Sequence, residues 1–179
     1  KIFSFGPRPH DFVTCHAPIQ PLYDLGVEIM VNSELDLYDI VQAEKDNPQI
    51  KIVAKEMAAE LGKGNTYPEL LEKLAQYELA LEKFMNANLG ASEYGAFANK
   101  CWPAFEKYFG HVPCYLNSRL AARGIPVACE ADIYGALSEY MSVCATLVPP
   151  AILDINNSVP KDMYAESKAE IGDYSLSDL

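Results

Sequence analysis

The chain has 179 residues and a formal charge of −11; half of its residues are hydrophobic, 22% are charged and 11% are aromatic. That balance suits one domain, or one domain and part of a second, with a buried core, and it excludes a disordered chain. The acidic excess argues against nucleic acid and anionic membrane surfaces as partners, and no apolar run approaches the ~18 residues of a spanning helix.

In chain order, "KIFSFG" reads as a first strand with "PRPHDF" as its exit turn. "APIQPLYDLG" holds a short helix ended by Gly26, and "VEIMV" is a second strand. A helix-start signal at Ser33 opens "SELDLYDIVQ". In "PQIKIVAKEMAAELG", Ile50, Val53, Met57 and Leu61 share one helical face and Gly62 stops the element. "YPELLEKLAQYELALEKFMNANLG" is the clearest helix: Leu70, Leu74, Tyr77, Leu81 and Phe84 recur at steps of three and four, which predicts docking by one face, and Pro68 sits in its first turn. "YGAFANKCW" is strand-like, "AFEKYFG" begins a helical turn, and "CYLNSRLAARG" is a short helix ended by Gly124. "IPVAC" is a strand, a helix follows from about residue 132 to 146, and "AILDI" is a further strand. Beyond it, "NNSVPKDMYAESKAE" turns polar, as surface loop or linker. Strands alternating with helices predict an α/β fold: a three-layer sandwich whose mainly parallel sheet is covered on both faces.

The five cysteines, Cys15, Cys101, Cys114, Cys129 and Cys144, include no CxxC pair. Their odd count and apolar settings read as reduced core thiols of a cytoplasmic protein, with Cys15-His16 and His111-x-x-Cys114 as the weaker zinc alternative. "ELGKGN" lacks the strand before and helix after that a phosphate cradle needs, so it reads as a helix stop. Ser138 and Ser142 lie within a helix without a GxSxG elbow, and His10 and His111 read as structural or solvent-facing loop residues.

Ligands of open α/β sheets collect at the carboxyl ends of strands. Three acids fall at such places: Glu106 past "YGAFANKCW", Glu130 past "IPVAC", and Asp154 in "AILDI". Asp132 suits the N-cap of the helix that follows it. Glu130 has no such task, and an ionised carboxylate beside a buried strand needs a partner, a hydrogen bond or a metal. Acids on neighbouring strand ends are how hard divalent cations are held. Trp102, with Pro103 after it, is either core or the stacking wall of a sugar site.

The stretch "NKCWPAFEKYFGHVPCYLNSRLAARGIPVACEADIYGALSEYMS", with "PPAILDINN" after it, resembles the L-fucose isomerase-like sugar isomerases of the L-fucose/L-arabinose isomerase superfamily. "GIPVACEADIYGAL" is the most specific part; "FGPRPHDF" and "LYDLGVEIMVNSELDLYDI" fit that family's middle domain more loosely. The resemblance implies a Rossmann-like middle domain over 1–122, and over 123–179 the start of a C-terminal metal-site domain. It implies an aldose–ketose isomerase working through an enediol, with Mn²⁺ or another divalent cation, a small sugar as substrate and a homo-oligomeric assembly. On the family's motif Glu106 matches the first metal-binding acid, and Glu130 or Asp132 matches the second. The family's ligand histidine falls after a stretch like "YSLSDL", and a further domain precedes the first strand. The chain therefore reads as a central piece, folded, with weak or no affinity for that metal alone. The alternative is a non-catalytic Rossmann-like module for sugar binding or assembly.

Overall fold

The computed structural model describes residues 1–103, 105–152 and 165. Four parallel strands, β1 (Ile2–Phe5), β2 (Ile29–Asn32), β3 (Ala96–Ala98) and β4 (Val127–Ala128), form one sheet in the order β2-β1-β3-β4. Around it stand α1 (Gln20–Asp24), α2 (Glu34–Ala43), α3 (Ile50–Leu61), α4 (Leu71–Asn88), α5 (Phe105–Phe109), α6 (Cys114–Ala122) and α7 (Ile133–Thr146). The expected α/β sandwich is present, and the sheet is parallel throughout. It continues across residue 122, because β4 pairs with β3 through Phe97 opposite Val127 and Ala98 opposite Ala128.

Side chains alternate across a strand, so each face of the sheet has its own core. Phe3, Phe5, Phe97 and Val127 point into a large cluster with Leu37 and Val41 of α2, Met57 of α3, Tyr77 and Leu81 of α4, and Leu116 and Leu120 of α6. Ile2, Ala96, Ala98 and Ala128 point the other way, onto Leu22 of α1 and Ile133 and Ala136 of α7. Three alanines on that face leave room for α7 to lie close to the strands. Gly135 serves the same approach: a Cβ there would fall 2.6 Å from Asp132 Oδ2 and 2.7 Å from Ile152 Cδ1.

Local chemistry sets several element ends. Ser33 caps α2 through a box in which the Asp36 amide donates to Ser33 Oγ (3.1 Å) and the Ser33 amide donates to Asp36 Oδ2 (2.7 Å). Those bonds from Ser33 hold the Asp36 carboxyl below its ordinary value. Gly62 takes a positive φ of 52° at the end of α3, where a side chain would be strained. Pro68 opens a single 3₁₀ turn ahead of α4 rather than the α-helix itself.

Helix α4 departs from the expected one-face docking. Leu71, Leu74, Ala75, Tyr77, Glu78, Ala80, Leu81 and Met85 are all buried, because the helix lies between the sheet and the outer helices α2 and α3. Glu78 is accommodated by Arg119 and Arg123 from the end of α6. The cysteines depart as well: Cys15 is buried, Cys101 and Cys129 are half-buried, and Cys114 and Cys144 are exposed. Apolar neighbours in sequence misplace Cys114 and Cys144, which sit on the outer faces of α6 and α7. The expected strand "AILDI" lies mostly outside the described residues; Ala151 and Ile152, which are described, are exposed and not in a strand. No helix among the described residues is long and apolar enough to cross a membrane.

His111 is structural. It is buried against Tyr77, Phe105 and Phe109, with ring centroids 5.8, 5.4 and 6.2 Å away, and its Nδ1 lies 3.3 Å from the Val112 carbonyl. Burial, with a smaller contribution from the Lys73 charge, lowers its pKa. The folded protein therefore binds fewer protons here than the unfolded chain at pH just below about 6.5. The contribution is present above that pH and is lost as pH falls towards the depressed folded value. Melting temperature is expected to drop from pH 7 to pH 5 more steeply in the wild type than in His111→Phe; equal slopes would assign the drop to other groups.

Candidate functional site

The strand order puts a topological switch between β1 and β3: the chain leaves β1 towards β2 on one side and returns to β3 on the other. Crevices form outside the carboxyl ends of strands at such points. The segments that leave this edge are Asn99–Pro103 after β3 and Cys129–Asp132 after β4.

The second segment is a tight turn. The Asp132 amide donates to the Cys129 carbonyl (3.0 Å), and both central residues have positive φ, 57° at Glu130 and 50° at Ala131. These φ signs belong to a type I′ turn, a conformation dominated by Gly, Asn and Asp. Glutamate and alanine there cost about 1–2 kcal/mol each. The surroundings impose the shape: the Ala131 amide donates to the Asn99 carbonyl (3.0 Å), and Ala131 is fully buried. Asn99 is itself fixed from beneath, its amide donating to the Ala128 carbonyl (3.0 Å) and its Nδ2 to the Tyr77 hydroxyl (2.8 Å). Burial raises the pKa of that hydroxyl, so it stays protonated.

This turn delivers Glu130 to the two cysteines at the same edge. Cys129 Sγ lies 3.8 Å from Cys101 Sγ and 3.3 Å from Glu130 Oε1, and Cys101 Sγ lies 4.0 Å from that same oxygen. Among the described residues these are the three metal-ligating side chains that converge. Glu130 Oε2 is buried without a hydrogen-bond partner. The hydrogen bond from Cys129 holds the Cys101 thiol down, at about 7, against burial and the Glu130 charge. The same bond, with burial, pushes the Cys129 thiol up.

Asp132 takes the capping position: its Oδ1 accepts the Gly135 amide at 2.9 Å. Glu106 occupies the first turn of α5 and is exposed; it is not one of the three converging donors. It is tied to the site through the backbone, since α5 starts where the Phe105 amide donates to the Cys101 carbonyl (2.9 Å). Trp102, 54% exposed, projects from the same loop, beyond a cis bond to Pro103. Asp154 lies outside the described residues. Beside the switch point is a cavity of about 520 Å³ lined by Tyr38, Phe105, Tyr108 and the ion pair Lys100–Glu34, whose Nζ and Oε1 are 3.3 Å apart. A second hollow, of about 310 Å³ around Ile2, Ala96 and Tyr140, sits at the amino end of the strands, away from these groups.

Cys101, Lys100 and Asn99 did not emerge from the sequence as site residues. The only local signal was a cysteine shortly after each of two strands, and nothing local says that those strands are neighbours.

No family model matches the chain. It is similar to the sulfoquinovose isomerase of Alkalicoccus urumqiensis, 27% identical over 144 residues, which cover 79% of this chain and 31% of that protein. The chain is a distant relative of sulfoquinovose isomerase. The enzymes of that name from Priestia aryabhattai (31% identical over 77 residues) and Clostridium sp. strain MSTE9 (39% over 59 residues) match 43% and 33% of this chain. The matches cover 16% and 13% of those two proteins, so the chain spans about a third or less of the length of its sulfoquinovose isomerase relatives. The sugar-isomerase relationship agrees, at that coarse level, with the resemblance carried by "GIPVACEADIYGAL".

Proposed function

We propose that the chain is the central part of a divalent-metal-dependent aldose–ketose isomerase, with residues 1–122 as its middle domain and 123–179 opening the domain that completes the metal site. The observation that carries this reading is Glu130: a carboxylate raised on a strained turn at the carboxyl edge of the sheet, with one buried oxygen lacking a partner. A cation satisfies such an oxygen, and Mn²⁺ prefers carboxylate donors. Glu130 and Glu106 would hold it, with Asp132 Oδ2 as a further donor, since the cap uses Oδ1. The ion supplies polarisation of the sugar oxygens and stabilises developing enediolate charge.

The chain's own residues have the remaining tasks. Glu130 and Glu106 are carboxylates suited to carry the proton between C1 and C2 of the open-chain sugar on its way through an enediol. Trp102 offers an exposed aromatic face for stacking. The 520 Å³ cavity falls within the volume range of small-molecule sites, and Lys100 and Glu34 supply polar anchors at its mouth. A cytoplasmic homo-oligomer is the setting that goes with this reading.

The test is the complete protein containing this segment, stripped of metal and assayed for ketose formation from L-fucose, L-arabinose, D-arabinose and sulfoquinovose, with and without Mn²⁺. Turnover of one of these sugars only with added metal is the expected result. Metal-independent turnover, or sugar binding without turnover in either condition, overturns the reading in favour of different chemistry or a non-catalytic sugar-binding module.

A further inference from the structure

We propose that Cys101, Cys129 and Glu130 form a binding site for a thiophilic divalent ion, Zn²⁺, distinct in chemistry from an all-oxygen site. Two Zn–S bonds of about 2.3 Å meeting at the tetrahedral angle hold their sulfurs about 3.8 Å apart. Cys101 Sγ and Cys129 Sγ are 3.8 Å apart. A carboxylate oxygen at about 2.0 Å from the same ion falls about 3.5 Å from each sulfur. Glu130 Oε1 lies 3.3 Å from one sulfur and 4.0 Å from the other. The three donors thus already form one face of a zinc tetrahedron, to within about half an ångström of the ideal. A disulfide needs the sulfurs at about 2.05 Å, so the pair stands as two thiols.

The fourth position faces out of the site. Both cysteines are half-buried rather than enclosed, which leaves a path for an ion from solvent. Binding releases the two thiol protons to the medium and leaves two thiolates and one carboxylate on the metal, with net charge −1 for the ion and its three protein ligands. The partnerless Glu130 Oε2 gains a charge to face. Thiolates favour Zn²⁺ strongly over Mn²⁺, which prefers oxygen. An ion seated here engages Glu130 and so competes with any hard cation that needs this carboxylate. The inference does not depend on the isomerase reading, and its test needs no activity.

The 179-residue chain, reduced and metal-free, is titrated with Co²⁺ as the spectroscopic stand-in for Zn²⁺. A sulfur-to-cobalt charge-transfer band at one equivalent is expected, erased by equimolar Zn²⁺ and unaffected by Mn²⁺ in about hundredfold excess. Cys101→Ser and Cys129→Ser should each abolish the band and weaken Zn²⁺ binding by at least about a hundredfold; Cys114→Ser and Cys144→Ser should retain both. Should a serine variant fail to fold, alkylation of the wild type decides: Zn²⁺ should protect Cys101 and Cys129 but not the exposed Cys114 and Cys144. Absence of the band and of protection in the wild type overturns the site. So does a band that survives in either Cys101→Ser or Cys129→Ser, or displacement of Zn²⁺ by Mn²⁺.

Discussion

Glu130→Gln, made in the complete protein, is expected to lower metal-dependent isomerisation by at least about a thousandfold, the scale of a lost proton carrier together with a lost metal donor. The amide keeps the size and the turn but has neither the charge nor the proton affinity of the carboxylate. Glu130→Gly separates function from strain at the same position. Relief of a left-handed side chain is worth about 1–2 kcal/mol, and the extra chain entropy of glycine takes back about 0.5–1 kcal/mol. Removing the buried, partnerless Oε2 adds to the gain. The glycine variant should therefore be inert yet about 1 kcal/mol more stable, read by urea unfolding of the 179-residue chain. A glycine variant less stable than the wild type would mean that the turn stores no strain, and a fully active glutamine variant would remove Glu130 from the mechanism. Strained residues retained where unstrained ones would stabilise are a mark of functional sites.

Arg119→Ala is expected to destabilise the fold by about 3 kcal/mol. Arg119 reaches from α6 to Glu78 of α4 (Nε to Oε2, 2.8 Å), to Glu56 of α3 (3.5 Å) and to Glu60. Glu78 is almost fully buried, and its second oxygen accepts from Arg123 at 2.7 Å. Burial raises the Glu78 carboxyl against the pull of both guanidinium groups. Deleting Arg119 leaves a buried carboxylate with one half-exposed partner, which is where the loss arises. The sign with pH follows. A raised carboxyl favours the folded state most at low pH, and that contribution is lost as pH rises through the folded value. The deficit of Arg119→Ala should accordingly be largest at pH 7 and smaller at pH 4, where Glu78 can take a proton. The double variant Glu78→Leu/Arg119→Leu, which leaves no buried charge, should recover most of the loss. Unfolding curves of the three proteins at both pH values check this; a deficit independent of pH would place the cost in lost packing of the arginine stem instead.

Much of the molecule is readable one segment at a time. The cap at Ser33, the stop at Gly62 and the cap at Asp132 each depend on residues no more than four positions apart, so chain-local chemistry is enough to place them. The alternation of strands with helices led in the same way to a parallel sheet covered on both faces. Glu130 stood out because it followed a buried strand with no local task to perform, and its orphaned oxygen bears on that oddity.

What the tertiary structure alone decided depends on contacts between distant segments. The buried Glu78 looked like a polar position on a one-sided helix until α6 brought two arginines to it. Cys101 and Cys129 looked like unrelated core thiols, and only the pairing of β3 with β4 sets them 3.8 Å apart. The left-handed turn at Glu130 and Ala131 runs against the preferences of both residues. It exists because Asn99, held by Tyr77, accepts the Ala131 amide from across the sheet edge. Local propensity determines where elements begin and end; which side chains meet at the carboxyl edge is determined by strand order and register, which no short window of residues encodes.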